Sequence, residues 1–156
     1  GSGPGYAYGC LKFAGEAGEG YISVDDVALP TTDADVAGIK FLKELYAERG
    51  EPPSPQTYSK GVVSVMLFAE AAKLAMKEVG YEGLNPETFK KYGMDKIKNF
   101  DTMGITKPIS YGLEGCCNAT IPSIMNQIKG GKIVHLTDWA NCPIIVEKEG
   151  GPFLKK

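Results

Sequence analysis

A chain of 156 residues, 43% hydrophobic and 23% charged, has the size and make-up of one ordinary globular domain with enough apolar side chains for a core. Its formal net charge of -2 comes from interspersed acids and bases, with no basic block of the kind that neutralises phosphates, so nucleic acid is not expected as a partner. The longest apolar stretch, Val62 to Ala69, is interrupted by Ser64 and closed by Glu70, well short of the roughly 20 residues a membrane-spanning helix needs.

The chain opens Gly1-Ser2-Gly3, with no Met and no charged-then-apolar leader; such a start reads as an expression scar or an internal cut, and a fragment is expected. Seven glycines in the first twenty residues, with Tyr6, Tyr8, Leu11 and Phe13 between them, favour loop with at most one short helix. Tyr21 to Val24 reads as a strand that continues through Asp25 and Asp26 to Val27 and stops at Pro30. Thr32 or Asp33 is placed to cap a helix whose apolar positions Val36, Ile39, Leu42, Leu45 and Tyr46 recur at helical spacing, with Gly50 as its C′ residue. Ser54-Pro55 pairs an N-cap with an N1 proline and opens a second helix running to Gly80. Val63, Leu67, Phe68 and Leu74 widen its apolar face, so it is expected to be packed on more than one side. Asn85-Pro86 repeats the cap logic for a third helix that ends near Gly93.

Beyond Ile97 the pattern turns to β. Gly104-Ile105-Thr106 and Ile109-Ser110-Tyr111 are short strand candidates around Pro108. Ser123 to Lys129, then Gly130-Gly131, then Lys132 to Trp139 reads as a hairpin, because both turn residues can take positive φ. The tail from Glu147 is polar.

The chemistry-bearing residues are few. His135, the only histidine, is needed by any Cys-His scheme, with Cys116 or Cys117 as nucleophile; the plainer reading is a structural strand histidine. Cys10, Cys116, Cys117 and Cys142 fit no standard zinc spacing, and no metal or other cofactor is expected. In an oxidising compartment Cys116 or Cys117 can bridge to Cys142; buried free thiols are the alternative. Asp25 and Asp26, as neighbours in a strand, point to opposite faces and cannot act on one substrate atom. Gly130-Gly131-Lys132 lacks the upstream glycine and following hydroxyl of a phosphate loop. Tyrosines mixed with glycine or polar neighbours suit a small-molecule cleft, although half-buried packing explains most of them.

Five segments in order resemble the C-terminal two-fifths of a type I periplasmic solute-binding protein, the branched-chain-amino-acid class of extracellular receptor for ABC importers. They are Ala14 to Tyr21, Val36 to Pro53, Thr57 to Gly80, Asn99 to Ser110, and Gln127 to Trp139. The resemblance implies an α/β chain with an incomplete type I fold, helices on a partial sheet closing in a β-hairpin. It divides the chain into 1–30, a strand and loop of the second lobe leading to the hinge; 31–100, helical and part of the first lobe; 101–146, β-rich with hairpin 123–139; and a polar tail 147–156. It further implies a periplasmic or otherwise extracytoplasmic location, a small solute such as an amino acid, amide or aromatic acid bound by cleft closure, and docking on importer membrane subunits. Tyr6 and Tyr8 then lie near a second-lobe contact loop and are the leading candidate ligand-binding residues, with Asp25 and Tyr58, which flank the hinge, as the further candidates. The Glu114 to Asn118 stretch departs from the family pattern. Apolar surface on the Tyr58 to Gly80 helix would be left open in so short a chain, which makes self-association the expectation. A Cys-dependent hydrolase or transferase and a stand-alone interaction domain using the hairpin edge are the competing readings.

Overall fold

The computed structural model describes residues 6–50, 55–112, 119–120 and 122–141. Helix α1, Tyr6–Ala14, runs into a 3₁₀ turn, Gly15–Gly18, and then into strand β1, Ile22–Asp25. Helices α2, Ala37–Arg49, and α3, Pro55–Val79, follow. A short helix α4, Pro86–Thr88, continues as a π turn, Phe89–Gly93, and a 3₁₀ turn, Met94–Lys96. Strands β2, Pro122–Lys129, β3, Lys132–His135, and β4, Ala140–Asn141, complete the described chain.

The sheet is antiparallel throughout, with β2 at its centre between β1 and β3. The β2–β3 turn forms as the glycine pair requires, with φ of +58° at Gly130 and +69° at Gly131. Glu19 holds that turn, its carboxylate accepting the Gly130 N–H at 2.9 Å and the Gly131 N–H at 3.3 Å. Strand β3 ends at His135, earlier than the hairpin pattern suggests, because the Thr137 hydroxyl takes the Met125 N–H at 3.1 Å in place of a strand carbonyl. Pairing resumes where β4 meets Pro122 and Ser123.

Among the helices, the expected start of α2 is corrected. Its N-cap is Val36, with no side-chain cap, and the Gly38 N–H is instead taken by the Met103 carbonyl at 2.8 Å. Thr32 and Asp33 are drawn away by strand β3, as described below. The C-terminal glycines behave as read: Gly50 and Gly80 have φ of +87° and +68°. At α4, Asn85 accepts from the N–H groups of Glu87 and Thr88, and the Thr88 hydroxyl takes the Asn85 N–H, a complete capping box. The strand candidates at 104–106 and 109–111 are not strands. Thr102 intercepts the Thr106 N–H with its own hydroxyl, and only single bridges form, Phe100 to Ile109 and Tyr111 to Ala119.

Helix α3 was expected to be packed on more than one side. Gln56, Ser59, Val63, Leu67, Ala71 and Ala75 form one buried stripe, whereas Val65 and Phe68 are 68% and 63% exposed. Its apolar residues spread around the helix: beyond that stripe Phe68 meets the Phe89 ring at 5.0 Å, and Tyr58, Val62, Met66 and Leu74 are half-buried against the larger cluster.

Two separate apolar clusters result. The larger joins Val27 and Ala28 to Ile39 and Leu42 of α2, Val63, Leu67 and Ala71 of α3, and Ile97, Ile105 and Ile109 of the following loops. The smaller holds Leu29, Ile128 and Ile133, with Cys10, Leu11 and Tyr21 packed against it. Adjacent residues Ala28 and Leu29 thus belong to different cores.

Where the π turn crosses α3, a Cβ on Gly93 would lie 2.5 Å from the Ala71 carbonyl oxygen, a backbone atom that cannot rotate away. Gly93→Ala is therefore expected to lower stability by about 1–3 kcal/mol in urea unfolding. Gly61→Ala, at an exposed helical position with nothing within 4 Å of a built Cβ, should raise it by up to about 1 kcal/mol in the same assay.

Candidate functional site

The two clusters meet at a polar waist built around the end of β1. Strand alternation turns Ser23 and Asp25 inward, and both are 1% exposed. The Asp25 carboxylate receives three donors: the Ser23 hydroxyl at 2.8 Å, the Asn126 amide at 2.6 Å and the Gln56 amide. These come from β1 itself, from β2, and from the first turn of α3. A buried carboxylate is tolerated only when its lone pairs are engaged in this way.

The chain of contacts continues outward. With its amide N–H given to Asp25, Asn126 turns its carbonyl oxygen to His135 Nδ1 at 2.7 Å. His135 Nε2 faces Asp33 Oδ1 at 2.9 Å, and Asp33 Oδ2 accepts the Leu29 N–H at 2.7 Å. Thr32 donates to the Ile133 carbonyl at 3.0 Å. Asp33 and Thr32 therefore bind strand β3 across about a hundred residues of sequence, which is why neither caps α2. His135 engages both ring nitrogens in structure.

On the other face of the chain at this point Asp26 forms a close ion pair with Lys60 of α3. The pair opens into a cavity of about 310 Å³ whose apolar wall is Val27, Val63, Leu67 and Ile109, with Ser64, Thr106, Tyr111 and Thr120 adding hydroxyl groups. That is at the small end of ligand-pocket sizes and suits a compact solute. A second hollow of about 610 Å³ lies between α2 and α3, lined by Phe41, Leu45, Tyr58, Gly61, Val62, Val65, Met66 and Ala69. Its lining carries no charge, and the Tyr58 ring sits edge-on to Tyr46 at 5.3 Å there.

The residues singled out from sequence thus fall in different places. Tyr6 and Tyr8 lie in the first turn of α1, and their side chains are outside the described residues. Asp25 is at the centre of the waist, and Tyr58 lines the α2–α3 hollow. Cys116, Cys117 and Cys142 are outside the described residues, and with them the proposed disulfide; Cys10 is a free thiol against the smaller cluster. Among the described residues no group of three or more His, Cys, Asp or Glu is placed to hold a metal ion, and no helix is long and apolar enough to cross a membrane. Gln56 and Asn126 were not picked out from sequence, and Asp33 was read only as a helix cap. Asn126 had a signal: it is the polar residue on the apolar-facing positions of β2, between Ile124 and Ile128.

No family model matches the chain, and no curated protein matches it in sequence. Solved structures do match it in three dimensions. A branched-chain amino acid ABC transporter protein from Thermus thermophilus with bound valine aligns with a TM-score of 0.61 at 18% identity, over 85% of this chain and 36% of that one. A leucine-binding protein from Thermotoga maritima aligns at 0.55 and 20% identity, over 84% of this chain and 33% of that one. An ABC transporter solute-binding protein from R. palustris in complex with benzoate aligns at 0.56 and 24% identity, over 98% of this chain and 39% of that one. The chain has the α/β fold of type I periplasmic binding proteins, in incomplete form: it spans only a third to two-fifths of the structures it matches.

Asp25→Ala would leave the Gln56 and Asn126 amides and the Ser23 hydroxyl without their acceptor. It is expected to cost about 3 kcal/mol in urea unfolding, against about 1 kcal/mol for His135→Ala at the exposed end of the same chain of contacts.

Proposed function

We propose that this chain is the C-terminal portion of a two-lobed extracytoplasmic receptor that captures a small solute and presents it to an ABC importer. The observation that carries this reading is the fold match, which takes in 84–98% of the chain. The solutes named for the matched structures, valine, leucine and benzoate, share one chemistry: a single carboxylate on a compact apolar body. A cleft for that class needs a few fixed polar groups beside apolar walls. Tyr6 and Tyr8, at the start of α1, are the contacts proposed from this chain, with the remaining contacts on the part of the fold it lacks.

The waist supplies the moving part of the proposal. Two apolar clusters joined through the hydrogen bonds around Asp25 form a junction of the polar kind found between domains that move relative to one another. Asp25 then serves as a fixed pivot, its carboxylate occupied by protein donors, and Tyr58 as a packing residue between α2 and α3. The function is recognition with closure, and no chemical step is assigned to Cys116, Cys117 or His135.

The test is calorimetric titration of valine, leucine and benzoate into the two-lobed protein that contains this chain, with thermal unfolding in parallel. One of the three is expected to bind and to raise stability by about 2.7 kcal/mol at a hundredfold excess over Kd. Tyr6→Ala and Tyr8→Ala should each weaken that binding about tenfold while leaving the ligand-free melting temperature in place. Absence of binding by all three, or unchanged affinity in both variants, counts against the reading.

A further inference from the structure

The hydrogens of the polar waist do not add up with every group in its ordinary state. At the buried end, Asp25 is surrounded by donors alone, the Ser23 hydroxyl and the Gln56 and Asn126 amides, as an ionised carboxylate requires. Asn126 thus gives its N–H to Asp25 and turns its carbonyl oxygen to His135 Nδ1 at 2.7 Å, so Nδ1 must carry a hydrogen. The other ring nitrogen, Nε2, lies 2.9 Å from Asp33 Oδ1, while Asp33 Oδ2 accepts the Leu29 N–H at 2.7 Å. An ionised Asp33 can only accept, so Nε2 must carry a hydrogen too. A neutral imidazole has one N–H. The network from Asp25 to Asp33 therefore closes only with one proton more than ionised carboxylates and a neutral ring supply.

Without that proton one acceptor loses its donor. Asn126 is 0% exposed, whereas the side chains of His135 and Asp33 keep 30% and 14% exposure. Water can replace a donor at the outer bond and not at the inner one, so the outer bond is the one given up. That bond spans the waist: Asp33 stands between Leu29 of the smaller cluster and Ile39 of the larger, and His135 belongs to the sheet. Among the described residues the charged groups facing the ring are Asp33 and, behind Asn126, Asp25. Strand alternation turns Lys129 and Lys132 to the opposite face of the sheet. Glu19 is bound to the β2–β3 turn, Lys12 lies over the Phe13 ring and Lys60 pairs with Asp26. Asp35 is fully exposed beside Lys40, and Asp138 is exposed.

We propose that His135 and Asp33 form a proton-dependent latch across the waist, closed when the imidazole carries both ring hydrogens and open once Nε2 has lost its own. The latch goes beyond the solute-binding reading, and its test needs no solute. Between about pH 6 and pH 8 aspartates are ionised and imidazole is the side chain that changes charge. The closed latch binds the proton, so its stabilisation is present at the acid end and lost as the pH rises. His135 is the only histidine, so ring-nitrogen NMR of the 15N-labelled chain reads it alone. Both nitrogens are expected to carry hydrogen at the acid end; on the alkaline side the remaining hydrogen should sit on Nδ1, which faces Asn126. A neutral ring with its hydrogen on Nε2 overturns the proposal. In urea, the unfolding equilibrium constant should rise about fivefold over that pH range relative to that of Asp33→Asn. An amide at position 33 can accept the Leu29 N–H and donate to Nε2, which closes the network on a neutral ring. Asp33→Asn should therefore be the less stable protein at the acid end and the more stable at the alkaline end. The same pH dependence in both proteins would overturn the latch as well.

Discussion

The burial of one carboxylate constrains most of this structure. Asp25 is closed off from water at the end of β1, and its burial is tolerable only because Ser23, Asn126 and Gln56 all donate to it. Each donor fixes something different. Asn126 lies opposite Ser23 in the β1–β2 register, so a slip of one residue would bring Met125 or Gln127 to that position and turn the apolar face of β2 outward. Gln56 ties the first turn of α3 to the sheet. His135, held by the other end of the Asn126 amide, anchors β3 and through Asp33 the segment that leads to α2. A single buried charge site therefore sets a strand register, a helix position and a loop path together.

The same polar chain separates the two apolar clusters found among the described residues. Apolar side chains continue from β1 into Val27, Ala28 and Leu29, yet Ala28 packs with the helices and Leu29 with the sheet. Between them run the hydrogen bonds of Asp25 to Gln56 of α3 and Asn126 of β2, while the Asp26–Lys60 pair lies beside the larger cluster. Hydrogen bonds can be exchanged for bonds to water at modest net free energy, whereas separating apolar surfaces costs in proportion to the area exposed. A junction of this composition resists shear within each cluster and opposes rotation between clusters far less. Such a junction arises here from side chains at the end of β1 and their partners on β2, β3 and α3.

Features governed by neighbours in sequence were legible before the structure. The Gly130-Gly131 turn, the Asn85-Pro86 cap and the terminal glycines Gly50 and Gly80 each depend on the backbone freedom or hydrogen-bonding reach of a few adjacent residues. The alternation argument also separated Asp25 from Asp26 correctly, since one is buried among amides and the other pairs with Lys60. It could not say which of the two was buried, because that is decided by β2 and α3, far along the chain. Asp33 shows the limit most clearly. Beside a helix it reads as a cap, and its actual partner, His135, is 102 residues away. The strands expected at 104–111 failed for a local reason that was visible: Thr102, Thr106 and Pro108 offer the backbone side-chain acceptors and remove a donor.

Helix α3 carries the last step of this argument. A helix apolar on all sides is ordinarily buried on all sides, and here one stripe is buried while Gly61 and Val65 on the opposite side lie exposed. Propensity does not account for the open stripe, since glycine at position 61 weakens a helix by about 1 kcal/mol relative to alanine. Packing within the chain does not account for it either, because no described atom comes near a side chain placed there. A residue that weakens its own element and relieves no internal contact makes physical sense when its bare backbone is the surface another element approaches. Val65, 68% exposed on the same stripe, points to the same conclusion from the opposite direction: the glycine clears space for a neighbour and the valine supplies apolar area that the neighbour would cover.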